Sequence, residues 1–232
     1  EELDESFIRA AAVIELVHLA TLVHDDILDD AALRHKQTTI SQRYGSTTAV
    51  LLGDAMFAHA LKLASEFPTV DVCRNVSLAT RRVCAGEIQQ TFLRGSSDFG
   101  IDQYFRIIEL KTAELFWLSC RLGGFLAGRK GDSLRALEDY GRHLGRAYQI
   151  YDDVADLYGD EAKIGKTLGT DLENGKFTLP LLLLFQNLEA GEQQRLIAHL
   201  QSDSGGALDN LKQALHTHAI FGEVEGWFAT EI

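Results

Sequence analysis

The sequence predicts an all-α fold, and three observations carry that prediction. Apolar residues recur at three- and four-residue spacing over long stretches. Only two prolines, Pro68 and Pro180, interrupt the 232 residues, so long helices are permitted. No run alternates apolar and polar residues with the period of two that marks a half-buried strand. From residue 6 to about residue 33, Phe7, Ile8, Val13, Ile14, Leu16, Val17, Leu19 and Leu22 give a helix with a broad apolar surface. The polar stretch 35–45 reads as a connecting loop. Residues 46–67 read as a second helix capped by Ser46-Thr47-Thr48. A third is expected over 71–92, a loop over 94–100, and a fourth helix over 102–127 with a bend at Gly123-Gly124. The fifth covers 132–158, capped by Asp132 or Ser133. After a Gly-punctuated polar segment, an apolar helix is expected at 179–188. Weaker helices follow at 192–200 and 208–218, split by Gly205-Gly206 and the polar residues before it.

The bulk numbers narrow the class. A chain of this length with 46% hydrophobic and 24% charged residues suits one domain with a sizeable core. Its 34 acidic residues against 22 basic ones, net charge −12, argue against a nucleic-acid partner. No apolar run approaches the roughly 20 residues of a membrane span, and no signal peptide is read at the front. Cys73, Cys84 and Cys120 are odd in number and lack metal spacing, so reduced thiols and a cytoplasmic setting are expected.

The chemistry lies in a repeated block. Asp25-Asp26-Ile27-Leu28-Asp29 recurs as Asp152-Asp153-Val154-Ala155-Asp156, and both copies sit in apolar helical runs. At about 100° per residue, the first and fifth positions stack one turn apart on one face. Two facing carboxylate clumps need cations between them, because unpaired carboxylates in a low-dielectric cleft are costly. Mg²⁺ carrying a polyphosphate suits such oxygen donors. The plain alternative is two solvated acidic faces, but the flanks at 19–23 and 148–151 are largely apolar. Arg34, Lys111, Lys166 and Lys176 fall in segments able to line the same cleft. Singly, each reads as a surface cation. Gly165-Lys166 and Gly175-Lys176-Phe177-Thr178-Leu179-Pro180, behind an aspartate block, form a grouping that chance explains poorly.

These residues resemble the trans-isoprenyl diphosphate synthase (polyprenyl synthetase) family, most of all its long-chain polyprenyl members. Residues 15–26 are similar to the family's first aspartate-rich region and residues 148–180 to its second. Leu51-Leu52-Gly53-Asp54, Gly86-Glu87 with Gln90, and Lys111-Thr112 match further signatures in order, so the resemblance covers about residues 10–184. It implies an isoprenoid synthase-type helical bundle around a central active-site cavity. It implies Mg²⁺-dependent head-to-tail condensation of isopentenyl diphosphate with an allylic prenyl diphosphate. Three Mg²⁺ ions are implied at Asp25, Asp29 and Asp152, with Asp26 and Asp153 as further catalytic carboxylates. Arg34, Lys111 and Lys166 would grip the departing diphosphate, helped by Thr112 and Gln149, with Tyr148 and Lys176 also at the substrate. His18 matches a position that touches the second diphosphate; a satisfied core histidine is the competing reading. A homodimer is implied, as is peripheral membrane contact for product release.

The match has departures. The family's Gly-Lys-x-x-Arg element upstream of the first block is not in this sequence. N-terminal helices and part of the C-terminal region are therefore expected outside residues 1–232, which read as a single polyprenyl synthetase-like domain. The paired arginines of the family stand here as Arg34-His35, which puts a titratable ring toward the isopentenyl site. Tyr148 replaces the usual Phe. Other readings remain. Glu15-Leu16-Val17-His18 has the Glu-x-x-His form of di-iron bundles but no second copy. A class I terpene cyclase, a head-to-head prenyl synthase and a non-catalytic regulatory subunit share parts of the pattern.

Two expectations concern shape. Ala20 and Thr21, one turn before Asp25, are small, and Val17 and Ile14 further back are not aromatic. The family's short-chain members carry aromatics there, so these residues are expected to leave a deep floor and a product beyond twenty carbons. Residues 76–92 and 104–126 are apolar on more than one face, which predicts a two-fold homodimer.

Overall fold

The computed structural model describes residues 4–34, 36–94, 99–159, 169, 171, 174–201 and 207–232, with backbone alone at 190, 199–201 and 207. His35 and Lys166 lie outside the described residues. The first helix, α1 (Glu5–Leu28), starts where the Asp4 carboxylate accepts from Ser6 N–H at 2.8 Å. It stops five residues earlier than its apolar pattern suggests. Asp30 takes a left-handed conformation, φ +47°, which aspartate tolerates better than most residues and which ends a helix. Asp29 thereby becomes the C-cap.

The expected loop holds more structure than its polarity suggests. Two-residue strands β1 (Leu33–Arg34) and β2 (Gln37–Thr38) pair antiparallel, and α2 (Ile40–Tyr44) follows, capped by the Thr39 hydroxyl. α3 (Ser46–Ser65) has no side-chain cap. Gly45, at φ +87°, makes the sharp turn instead of the expected Ser46-Thr47-Thr48 group. α4 (Val70–Leu93) is capped by Thr69, whose hydroxyl accepts from Asp71 N–H. The fourth expected helix is three pieces: α5 (Ile101–Ile108), a π turn (Glu109–Ala113) and α6 (Glu114–Leu126). Its irregularity therefore falls at Lys111-Thr112, and Gly123-Gly124 stays inside regular helix. α7 (Gly131–Tyr158) begins without the expected Asp132 or Ser133 cap. α8 (Leu179–Asn187), α9 (Ala190–Gln201) and α10 (Ala207–Thr217) agree with the pattern, and α11 (Ile220–Thr230) was not foreseen.

Two cores hold these elements. One gathers Val13 and Val17 of α1, Ala60 and Ala64 of α3, Val72 and Val76 of α4, and Trp117, Leu118 and Leu122 of α6. The other gathers Tyr104 and Ile108 of α5, Ile150 and Leu157 of α7, Leu179 to Leu184 of α8, and Leu211, Leu215, Ile220 and Val224 beyond it. Of the two segments expected to leave apolar surface, 104–126 buries Trp117, Leu118 and Leu122 in the first core and turns Leu115 and Phe116 to the cavity, while Ile88 and Phe92 of 76–92 stay exposed, as do Leu51 and Val70. α1 corrects one expectation: by length and composition it is apolar enough to cross a membrane. In this bundle it packs along α3 and α6 and turns its remaining face to the cavity that carries Asp25 and Asp29.

Candidate active site

A cavity of about 1350 Å³ runs between α1, α4, α5, the π turn, α6, α7 and the 171–178 segment. Both aspartate blocks reach it, but unevenly. Asp25 and Asp29, one turn apart, line it, whereas Asp26 is 6% exposed and turned aside. Arg34 on β1 donates from Nε to Asp26 Oδ1 at 2.7 Å, which ties the hairpin to the end of α1. Asp26 thus meets the cavity through Arg34 and not directly, in contrast to Asp25 and Asp29. From α7, Asp152 and Asp153 line the cavity. Asp156 accepts from Asp171 N–H at 3.3 Å and so holds the polar segment behind α7.

The cations arrive from three directions. Lys111 of the π turn pairs with Glu87 of α4 and, at 3.6 Å, with Asp25; its ammonium also donates to Gln90 Oε1 at 2.9 Å. Lys176 bridges Asp29 at 2.8 Å and Asp171 at 3.4 Å. Arg94, the α4 C-cap, donates to Asp29 Oδ1 at 2.7 Å. These pairings set the electrostatics. Burial pushes the Asp25 carboxyl up, and Glu87 and Asp29 add to that against the pull of Lys111. Burial also acts to raise Asp29, but Lys176, Lys111 and Arg94 together outweigh it and hold Asp29 below the usual range. Lys176 is raised, because Asp171 and Asp29 overcome its burial.

The second block rests on neutral donors. Asp153, 3% exposed, accepts from Tyr104 Oη at 2.7 Å, Gln149 Nε2 at 2.9 Å and Leu179 N–H at 3.3 Å. Burial, with Asp171 adding, pushes its carboxyl up to about 7 despite those bonds. Thr112 donates to Gln149 Oε1 at 2.7 Å, so one hydrogen-bonded chain runs Thr112, Gln149, Asp153, Tyr104. Asp153 positions Gln149 and the start of α8.

His18 and Tyr148 line the cavity, the latter with its ring 5.5 Å from Phe116. The expected floor is corrected. Val17 and Ala20 are fully buried and do not line the cavity, while Thr21, His18 and Ile14 do. Five residues of helix rotate a side chain by about 140° from Asp25, and four return it to nearly the same face. Arg94, Tyr104 and Asp171 were missed by sequence reasoning. Arg94 had a readable signal, since Glu87, Gln90 and Arg94 follow helical spacing along one stripe of α4.

Pockets of this kind fit Mg²⁺. The donors are hard carboxylate oxygens from two helices, and no closed cluster of three or more metal-binding side chains exists among the described residues. Mg²⁺ typically uses one or two carboxylates and completes its shell with water and phosphate. Asp25, Asp29 and Asp152 would hold it.

Solved structures share the fold. A polyprenyl synthase from Caulobacter crescentus CB15, complexed with calcium and isoprenyl diphosphate, matches with a TM-score of 0.91 at 30% identity, over 98% of this chain and 70% of that one. A decaprenyl diphosphate synthase from Rhodobacter capsulatus matches with a TM-score of 0.89 at 29% identity, over 97% and 70%. The architecture is that of the isoprenoid synthases. The octaprenyl diphosphate synthase of Escherichia coli (strain K12) is 33% identical over 198 residues, 85% of this chain and 61% of the relative. The all-trans-nonaprenyl-diphosphate synthase (geranyl-diphosphate specific) of Rhodobacter capsulatus is 37% identical over 207 residues, 89% and 62%. A profile of the polyprenyl synthetase family matches residues 1–217, and the chain belongs to that family. It spans a little over three-fifths of the length of these curated relatives.

Proposed function

We propose that this protein is a Mg²⁺-dependent prenyltransferase that joins isopentenyl diphosphate head-to-tail to an allylic prenyl diphosphate, giving a product beyond twenty carbons. One observation carries the reading: carboxylates from α1 and α7 face a common cavity with Lys111, Lys176 and Arg94 set among them. The names of the octaprenyl and nonaprenyl relatives support the long product.

Bound Mg²⁺, three ions in this reading, would neutralise charge on the departing diphosphate. Asp25, Asp29 and Asp152 would orient that diphosphate through the metal. Lys111, Lys166, Lys176 and Arg34 would add charge-assisted hydrogen bonds as the allylic C–O bond breaks. Gln149, fixed by Thr112 and Asp153, would keep its place beside the leaving group. The apolar wall of Ile107, Ile108, Leu115 and Phe116 would exclude water from the allylic cation until the isopentenyl double bond attacks, and the cation so formed would lose a proton to the departed diphosphate, leaving the new double bond. His18 and His35 would face the isopentenyl diphosphate. The exposed Leu51, Val70 and Phe92 support a homodimer, and the three free cysteines fit the cytoplasm.

Incubation with Mg²⁺, labelled isopentenyl diphosphate and each allylic primer, followed by sizing of the products, tests the reading. Products longer than twenty carbons are expected; no elongation at any primer would overturn it. In the same assay Thr21→Phe should shorten the product. Ala20→Phe should instead overpack the buried face of α1 and cost about 1–3 kcal/mol of stability with product length unchanged.

A further inference from the structure

Arg94 sits at the end of α4, with its side chain 22% exposed where it lines the cavity. Nη2 donates to Asp29 Oδ1 at 2.7 Å and Nη1 to the Leu28 carbonyl at 3.1 Å. The last turn of α1 carries carboxylates and no basic residue, so the negative end of the helix dipole and the acidic charge coincide there. Arg94 offsets both. A clamp of that kind leaves one donor unexplained: Arg94 Nε is buried and, among the described residues, has no hydrogen-bond partner. A buried guanidinium N–H without an acceptor is costly, so Arg94 holds a donor in reserve for an incoming acceptor.

The neighbours of Arg94 say what that acceptor is. Asp29 is shared, with Arg94 on Oδ1 and Lys176 on Oδ2. Both oxygens are therefore committed to protein cations. Each oxygen keeps a second lone pair for a metal ion, but a divalent charge placed there repels Arg94 and Lys176 and loosens their hold on Asp29. Arg94 is a planar fork with several N–H donors, one already unmet, and the cavity beside it contains Lys111 and Lys176, which suit the same anion. We propose that Arg94 is a diphosphate-binding residue, the counter-ion of Asp29 without metal and a ligand of the diphosphate oxygens once Asp29 turns to Mg²⁺. This rests on the reading of the cavity as a Mg²⁺–diphosphate site.

The test is calorimetric titration of the whole chain with MgCl₂ alone, and then with inorganic diphosphate at saturating Mg²⁺, for wild type, Arg94→Gln and Arg94→Lys. Arg94→Gln should weaken diphosphate binding about tenfold or more, as loss of a charged hydrogen bond implies. Its affinity for Mg²⁺ alone should be unchanged or tighter, because Asp29 has lost a competitor. Arg94→Lys should recover part of the diphosphate affinity. Equal diphosphate affinity in Arg94→Gln and wild type overturns the proposal. A parallel fall in Mg²⁺ and diphosphate affinity also overturns it, since Arg94 would then act only by placing Asp29. If Arg94→Gln does not fold, Arg94→Lys decides: a several-fold loss for diphosphate with Mg²⁺ binding intact supports the proposal, and wild-type affinity for both overturns it. Absence of Mg²⁺-dependent diphosphate binding in the wild type would instead sink the reading of the cavity itself.

Discussion

The two aspartate blocks share a spelling and divide the work differently. At the end of α1, the first and fifth aspartates face the cavity, each beside a lysine or arginine, and the middle one turns away to Arg34. In α7, the first two reach the cavity, and the fifth is spent on the backbone of Asp171. The α1 block is stabilised by cations, while Asp153 is held by a phenol, an amide side chain and a backbone N–H. One consequence is opposite titration: cations hold Asp29 down, and burial lifts Asp153. An acidic motif thus fixes a helix face, and the neighbours decide which carboxylate opens to the cavity and which is tied to the protein.

Swapping the fifth positions strains this contrast most. Asp29→Asn should lower turnover on the order of 10²–10³, because it removes the carboxylate proposed to hold Mg²⁺ and the partner of Lys176 and Arg94. Asp156→Asn keeps an acceptor for Asp171 N–H and should change turnover less than about tenfold, with its effect read as a lower melting temperature. Similar losses in both variants would show the blocks to be equivalent after all.

The contrast in titration predicts a pH effect in the metal-free protein. The Asp153 carboxyl ionises near its ordinary value when unfolded and at about 7 when folded. Between those values the folded state binds the extra proton. Its stabilising contribution is therefore complete below about pH 4 and lost as pH rises toward 7. With a chelator present, stability should fall over that window by a few kcal/mol on this account. Asp153→Asn should flatten the slope, and denaturant melts at several pH values would show it. An unchanged slope would mean that Asp153 is not held protonated by its surroundings.

A smaller effect refines the same point. Tyr104→Phe deletes one bond to Asp153 and leaves the α1 block untouched. It should cost about 1 kcal/mol of stability while Mg²⁺ affinity changes little. A large loss of metal affinity would couple the two blocks more tightly than their contacts suggest.

Much of this was legible in advance, because apolar periodicity and the aspartate spacing depend only on which residues share a helix face. The long helices and the shared face of Asp25 with Asp29 follow from that, whereas Lys111 and Lys176 were marked by the resemblance to the family. Other features depend on single conformational choices that composition does not record. The left-handed turn at Asp30 ends α1 early, and Gly45 replaces an expected hydroxyl cap. A π turn differs from an α turn by one step of hydrogen bonding and has the same residue preferences, so its location was hidden. Ala20 was misplaced by one residue of rotation. Arg94 followed the stripe of Glu87 and Gln90 but fell in a stretch read as loop.

The π turn carries a consequence about chain length as information. It is pinched from both sides: a Cβ on Gly86 of α4 would stand 2.9 Å from Lys111 N, and one on Gly145 of α7 would fall on Ala113. Upstream of it Tyr104 reaches Asp153, and at its centre Lys111 reaches Asp25. The five residues of the wider turn rotate the chain about as far as four residues of α-helix, so removing one residue from 109–113 would let the segment relax to regular helix with α5 and α6 keeping nearly the same faces. Tyr104 would keep its side of the cavity, and Lys111 would lose the wide turn that aims it at Asp25. The turn is one residue of slack in an otherwise counted rod: a deletion inside 109–113 should cost mainly the reach of Lys111, whereas a deletion inside 114–126 would rotate every side chain after it by about 100°.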